Sequence, residues 1–350
     1  MIGNAVGRRI LRGRISHELY IDSRIPISAL TEKIGISHQT VVKYVDELEK
    51  EYELIYTVDV DTSKLGFSEP RIITLKLEGM PDKEKLIQRF KSYRFVQNAY
   101  LAKGDFDIVM HVILPRNESY SGWEYTMRIE LNRYNPRMKV ATLNDFTEGF
   151  LPIREELIKM SNVLDKNEKK VLLLLVKNSR MKLKDLVKMS GLSQMKVIYS
   201  IKKMRKAGII KRFTATIQTP GMGLFVFSGV SLIPTETHHS NFLKQLLLEI
   251  ISNEHKDNLP TDYSVVCDTS GHFDSVNFLC FANGDLMYKR GPELIKRLWS
   301  EEHPKLDSCI LTEVLIGKWP FNSNNYVNWE PMLKNRTNGK YDKIRTYHIL

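Results

Sequence analysis

The chain has 350 residues, a formal charge of +11 at pH 7 and three cysteines, Cys267, Cys280 and Cys309. That length predicts two or more domains, and the excess of Lys and Arg favours a polyanionic partner. An odd cysteine count with no CxxC pair excludes a disulfide framework or a cysteine zinc site, and no run of about 18 apolar residues is present to span a membrane. The expectation is a soluble cytoplasmic protein with no membrane partner, no metal and no cofactor.

Residues 4–20 read as a basic helix carrying Arg8, Arg9, Arg12 and Arg14, with Ile10, Leu11, Ile15 and Leu19 available for a core. A short helix over Ser28–Ile34 stops at Gly35. Ser37 then caps a helix to about Lys50 whose apolar stripe is Val41, Val45 and Leu48. Tyr56–Asp61 alternates as a wing strand would. Beyond it come a strand at Arg71–Leu77, a helix opened by Pro81, strands at Phe95–Leu101 and Asp107–Leu114, a helix over Glu118–Tyr134 and a strand over Lys139–Phe146. That order, βαββαβ, is the ferredoxin-like plan.

After a charged helical connector over Leu151–Lys170 the pattern returns. Met181–Arg212 reads as a short helix, a turn at Ser190-Gly191 and a second, strongly basic helix capped by Ser193, which is a helix-turn-helix. Its stripe of Val197, Ile201 and Met204 lies 156 residues beyond Val41, Val45 and Leu48, and Gly191-Leu192-Ser193 repeats Gly35-Ile36-Ser37 at the same offset. Phe213–Gln218 answers the first wing segment. Strands over 224–232, 263–268, 275–281 and 308–316, with helices over 241–252 and 285–299, complete a second βαββαβ. The expected class is α+β: two winged helix-turn-helix domains, each followed by a ferredoxin-like domain. The boundaries are 1–66, 67–150, 151–223 and 224–321, with a tail over 322–350.

A helix-turn-helix, a wing and a βαββαβ domain with Gly-x-x-Asp between its central strands resembles the Lrp/AsnC family of transcriptional regulators. The residues that carry the likeness are Ile36-Ser37, Leu65-Gly66 and Gly104-Asp-Phe-Asp107, then Leu192-Ser193, Gly208–Lys211, Gly221–Gly223 and Gly271-His-Phe-Asp274. The resemblance implies double-stranded DNA as partner, an amino-acid effector, and a second domain that pairs. Tandem duplication would let one chain form a pseudo-dimer with its two sheets packed on each other, with homo-oligomers beyond it. A nucleoid-associated, non-enzymatic regulator is the expectation.

The two heads differ in charge. Asp46, Glu47 and Glu49 correspond to Lys202, Lys203 and Arg205, so three carboxylates become three cations and the second head is the expected anchor. Gln194 and Gln39 are candidates for base edges, because an amide pairs bidentately with adenine. Lys196, Lys202, Lys203, Lys211 and Arg212 suit phosphates, which position without specifying. Tyr199, His38, Thr40 and Lys43 complete the DNA-binding set. The resemblance also implies effector contacts at Gly104, Asp107, Gly271 and Asp274. The plainer reading of those four is a glycine hairpin with an aspartate bonding within the turn. Two other classes stand beside the regulator. One is a sensor or scaffold with degenerate heads. The other is an enzyme similar to siroheme decarboxylases, whose fold is related, although the nine histidines here are scattered and no catalytic motif converges.

Overall fold

The computed structural model describes residues 2–51, 54–79, 81–217, 224–231, 263–281 and 305–318. The first head is α1 (Ile2–Ile21), α2 (Ile27–Ile34) and α3 (His38–Glu51) around Ile15, Leu19, Leu30, Val41 and Leu48. Gly35 ends α2 in the left-handed region at φ 74°, where a side chain would be strained, and Ser37 Oγ accepts the Thr40 amide at the start of α3. β1 (Leu54–Val60) leaves this head.

Next come β2 (Arg71–Lys76), α4 (Lys83–Ser92), β3 (Val96–Gly104), β4 (Ile108–Val112), α5 (Tyr120–Glu130) and β5 (Arg137–Glu148). This is the expected βαββαβ. Both helices cover the outer face of the sheet through Leu86, Phe90, Trp123 and Met127, packed on Ile73, Ala99 and Met110.

The stretch expected to be one connecting helix is broken in two. α6 (Glu155–Met160) ends before Ser161, and α7 (Lys166–Lys177) starts afresh with a capping box in which Asp165 and Glu168 satisfy each other's backbone amides. α7 is itself the first helix of the second head, which continues as α8 (Leu183–Ser190), α9 (Gln194–Lys206) and β6 (Ile210–Ile217). The described part of the last region is β7 (Leu224–Ser231), β8 (Tyr263–Gly271), β9 (Ser275–Phe281) and β10 (Lys305–Ile316). Its expected helices over 241–252 and 285–299, and the tail, lie outside the described residues.

Two pairings depart from expectation. The wing segments do not form separate wings: β1 and β6 pair with each other, antiparallel, with Thr57 opposite Thr214 and Val58 opposite Phe213. The two sheets share one core, as packing on each other requires, but they do not stop at that. They join edge to edge in a closed barrel of order β10-β3-β4-β2-β5-β8-β9-β7. Closure leaves no free edge to satisfy, and the lumen is filled rather than open. Phe106 and Phe273 lie with ring centroids 6.1 Å apart, edge to face, and Phe227 sits 5.9 Å and 6.2 Å from them. Tyr100, Phe278 and Ile72 complete this core. Each such aromatic removed from water contributes roughly 1.5–3 kcal/mol.

Candidate nucleic-acid interface

α9 is helical because Ser193 Oγ accepts the Lys196 amide at its start and because its apolar stripe is anchored: Val197 and Met204 are fully buried in one cluster with Val171, Leu172 and Leu175 of α7. The opposite face is left to solvent. Met195, Tyr199, Lys202 and Lys206 follow one another at spacings of four, three and four, one ridge of the helix. Met195 is 76% and Tyr199 67% exposed, which is unusual for side chains of that size. Gln194 and Lys196 are exposed beside them, and Lys211 follows on β6. Among the described residues, Lys196, Lys202, Lys206 and Lys211 have no carboxylate within ion-pair distance.

Two of the expected phosphate ligands face elsewhere. Lys203 turns back onto α7, 2.7 Å from the buried Glu168 and 3.6 Å from Asp165, and the hydrogen bond to Glu168 raises its pKa. Arg212 points between the heads: it donates to Asp59 at 3.1 Å and to the Tyr20 hydroxyl at 2.8 Å, and lies over the Tyr20 ring. Burial pushes the Asp59 carboxyl up, against the pull of Arg212. Met195 and Lys206 were absent from the expected set. The same three-four spacing through Tyr199 and Lys202 would have found them.

α3 presents a different surface. His38, Gln39 and Lys43 are exposed, but Thr40 Oγ1 is tied to Ser37 Oγ at 2.8 Å. Lys50 pairs with Asp46 at 2.7 Å, Glu47 receives both Arg12 and Lys43, and Glu49 accepts the Tyr56 hydroxyl. Arg14 reaches the carbonyls of Lys33 and Ile34 at the end of α2. Arg12, Arg14, Lys43 and Lys50 are thus met by oxygens of their own head.

The heads are locked together. Ser23 Oγ and Ser179 Oγ, 156 residues apart in sequence, hydrogen-bond at 2.6 Å. Arg24 donates to the carbonyls of Ser179 and Met181 and lies 4.7 Å from the centre of the Phe213 ring. Thr57 Oγ1 donates to Val176 O, and Thr214 Oγ1 to Tyr20 O.

The Gly-x-x-Asp turns are placed at the two seams of the barrel. Gly104, at φ 141°, lies against β10, where an added Cβ would stand 2.6 Å from Ser308 O. The next amide, of Asp105, donates to Ser308 O at 2.9 Å. Gly271, at φ 107°, lies against β5, and the His272 amide donates to Val140 O at 2.9 Å. The Asp105 and His272 amides are thus spent on the neighbouring strand. Asp107 accepts the Leu77 amide at 2.8 Å and Lys76 Nζ at 3.0 Å, so its carboxylate is bonded to the end of β2 and not within its own turn. The Asp274 amide donates to Val230 O.

Residues 164–211 match the winged helix-turn-helix DNA-binding family. The chain is 32% identical over 99 residues to the HTH-type transcriptional regulator LrpA of Pyrococcus horikoshii, a stretch that is 27% of this chain and 67% of that one. It is 28% identical over 101 residues to the regulatory protein AsnC of Haemophilus influenzae, covering 29% and 67% respectively. Among solved structures, the siroheme decarboxylase NirDL is similar at a TM-score of 0.57 over 94% of this chain and 99% of that one, at 13% identity, a likeness of fold alone. With a helix-turn-helix of this geometry and relatives of this kind, the chain belongs to the Lrp/AsnC family of winged helix-turn-helix DNA-binding transcriptional regulators.

Proposed function

We propose that the chain is a sequence-specific transcriptional regulator of the cytoplasm, built by tandem duplication, whose second head is the principal anchor on duplex DNA. The single observation that carries this reading is the open ridge Met195–Tyr199–Lys202–Lys206, with Gln194 and Lys196 at its start and no carboxylate partner among the described residues. Lysines free of counter-charges release condensed cations from DNA on binding, which drives association. Gln194 is the base reader, and Met195 and Tyr199 supply apolar contact to thymine methyls. The duplication is supported by the strand order. Numbered within each half, both halves of the barrel run fourth, first, third, second strand, and each joins the other through its fourth and second strands.

Binding of an amino-acid effector belongs to this proposal only as an inheritance from the family. A solved feast or famine regulatory protein from M. tuberculosis is complexed with L-methionine. The whole-chain likeness to a siroheme decarboxylase favours a second reading, an enzyme acting on a tetrapyrrole, which an absorbance band retained through purification would support.

The test is duplex binding at several salt concentrations. Lys202→Glu is expected to weaken binding to all sequences and to reduce the slope of log K against log salt by about 1 or more. Lys203→Glu, which places a third acid beside Glu168 and Asp165, is expected to lower stability far more than that slope. Equal slopes for wild type and Lys202→Glu would remove α9 from the DNA.

A further inference from the structure

We infer that the DNA site this chain takes is non-palindromic, a single half-site read by α9, with α3 contributing no base recognition. The inference rests on the proposed DNA-binding function and goes beyond it to the form of the ligand. In regulators made of two identical heads, the two-fold symmetry of the protein is mirrored by an operator with two matching half-sites. Here the heads are held in one frame by the β1–β6 ladder, by Ser23 with Ser179, by Arg24 on the Ser179 and Met181 carbonyls and by Arg212 on Asp59. A duplex that engages α9 therefore meets the other head in a fixed orientation.

What it meets there is charge of the wrong sign. α9 carries Lys196, Lys202, Lys203, Arg205 and Lys206 and no acid. α3 carries Lys43 and Lys50 against Asp46, Glu47, Glu49 and Glu51. Both of its lysines are already paired within the helix, to Glu47 at 3.8 Å and Asp46 at 2.7 Å. Asp46 stands where Lys202 stands on α9, and its carboxylate is more than half exposed. Separating Lys50 from Asp46 to reach a phosphate uncovers a negative charge close to the backbone, whereas Glu47 keeps Arg12 when Lys43 leaves. Exposed pairs are weak, but uncovered carboxylates repel phosphates within about 8–10 Å at physiological salt. Thr40, at the position of Lys196, is bonded to its own cap. Nothing on α3 matches the free cations of α9.

The experiment is selection of duplexes from a random library by the full chain, followed by backbone footprinting of the winner. A consensus confined to one half-site, with protection strongest on that side, is expected. A palindromic consensus with equal protection overturns the inference and leaves the DNA reading standing. No enrichment at all overturns both. Asp46→Lys supplies the second arm, since among the described residues Asp46 pairs with the exposed Lys50 alone: it is expected to tighten binding about threefold to tenfold at 0.1 M salt and to extend the footprint toward the first head. Unchanged affinity and footprint in a folded Asp46→Lys chain would show that α3 never lies near DNA, and the inference that its charge decides the site's form would fall.

Discussion

At one seam of the barrel the Asp105 amide donates to Ser308 O; at the other the His272 amide donates to Val140 O, in the same geometry and at the same 2.9 Å. Gly104 and Gly271 both turn against the neighbouring strand with positive φ, Gly104 the more closely, and Phe106 and Phe273 meet between them. α3 and α9 share a serine cap and an apolar stripe but are opposite in charge at Asp46/Lys202, Glu47/Lys203 and Glu49/Arg205. Packing explains the contrast. A seam residue is surrounded by the other half, so a change there must be answered across the contact. An exposed helix face answers only to solvent and to whatever docks on it. One buried-side divergence tests the rule. Lys139 of β5 pairs with Asp307 of β10 at 2.7 Å, each placed one residue before the carbonyl that receives the other half's turn. Lys139 also lies 5.4 Å and 5.7 Å from the centres of the Phe106 and Phe273 rings.

The largest expected effect probes the seams. Gly104→Ala drives a Cβ against Ser308 O and Cys309 Cα from a left-handed backbone and is expected to cost about 3–5 kcal/mol in chemical denaturation. Gly271→Ala, whose nearest atom would be Val140 O at 3.0 Å, is expected to cost less, about 1–2 kcal/mol. Equal losses would mean the seams are more alike than their contacts. Next is Lys139→Asp, which sets two acids together in a half-buried site and is expected to cost about 2–4 kcal/mol. The double variant Lys139→Asp with Asp307→Lys should recover at least half of that, since the pair and not either residue is what counts.

A smaller effect follows pH. His111 on β4 is fully buried, its Nδ1 is 3.1 Å from the Asn98 amide nitrogen, and burial lowers its pKa from 6.5 to about 3. The folded state therefore binds fewer protons than the unfolded chain between those values. The contribution of a neutral His111 is complete above pH 6.5 and is lost as pH falls toward 3, by about 1.4 kcal/mol per pH unit at the steepest. His111→Gln should flatten the acid limb of the stability curve; an unaltered limb would place the proton uptake elsewhere. Asp59, whose carboxyl is pushed up, works in the opposite direction at the acid end. The smallest effect is Ser179→Ala, which removes the bond to Ser23 and is expected to cost about 1 kcal/mol, with looser coupling of the heads visible as faster amide exchange in β1 and β6.

Much of the fold was legible because its signals are local. Gly35 and Gly191 end their helices, Ser37 and Ser193 begin the next, and Val41, Leu48, Val197 and Met204 are buried as their spacing requires. The elements of the first βαββαβ fall within a few residues of the expected ones. What was illegible is long-range. Nothing near Lys203 reveals that Glu168 waits on another helix, and nothing near Arg212 reveals Asp59. Alternation in β1 and β6 marks strands without naming their partners, so each looked like a wing of its own head. Barrel closure likewise depends on edges that only the folded chain brings together.

Both seams of the barrel lie within a single polypeptide, and that has a consequence for dosage. An assembly of separate subunits falls apart on dilution, so its active fraction depends on how much protein the cell makes. A barrel closed by one chain has no such threshold. The concentration of paired heads equals the concentration of chains, so the pairing itself survives dilution down to the first molecules synthesised.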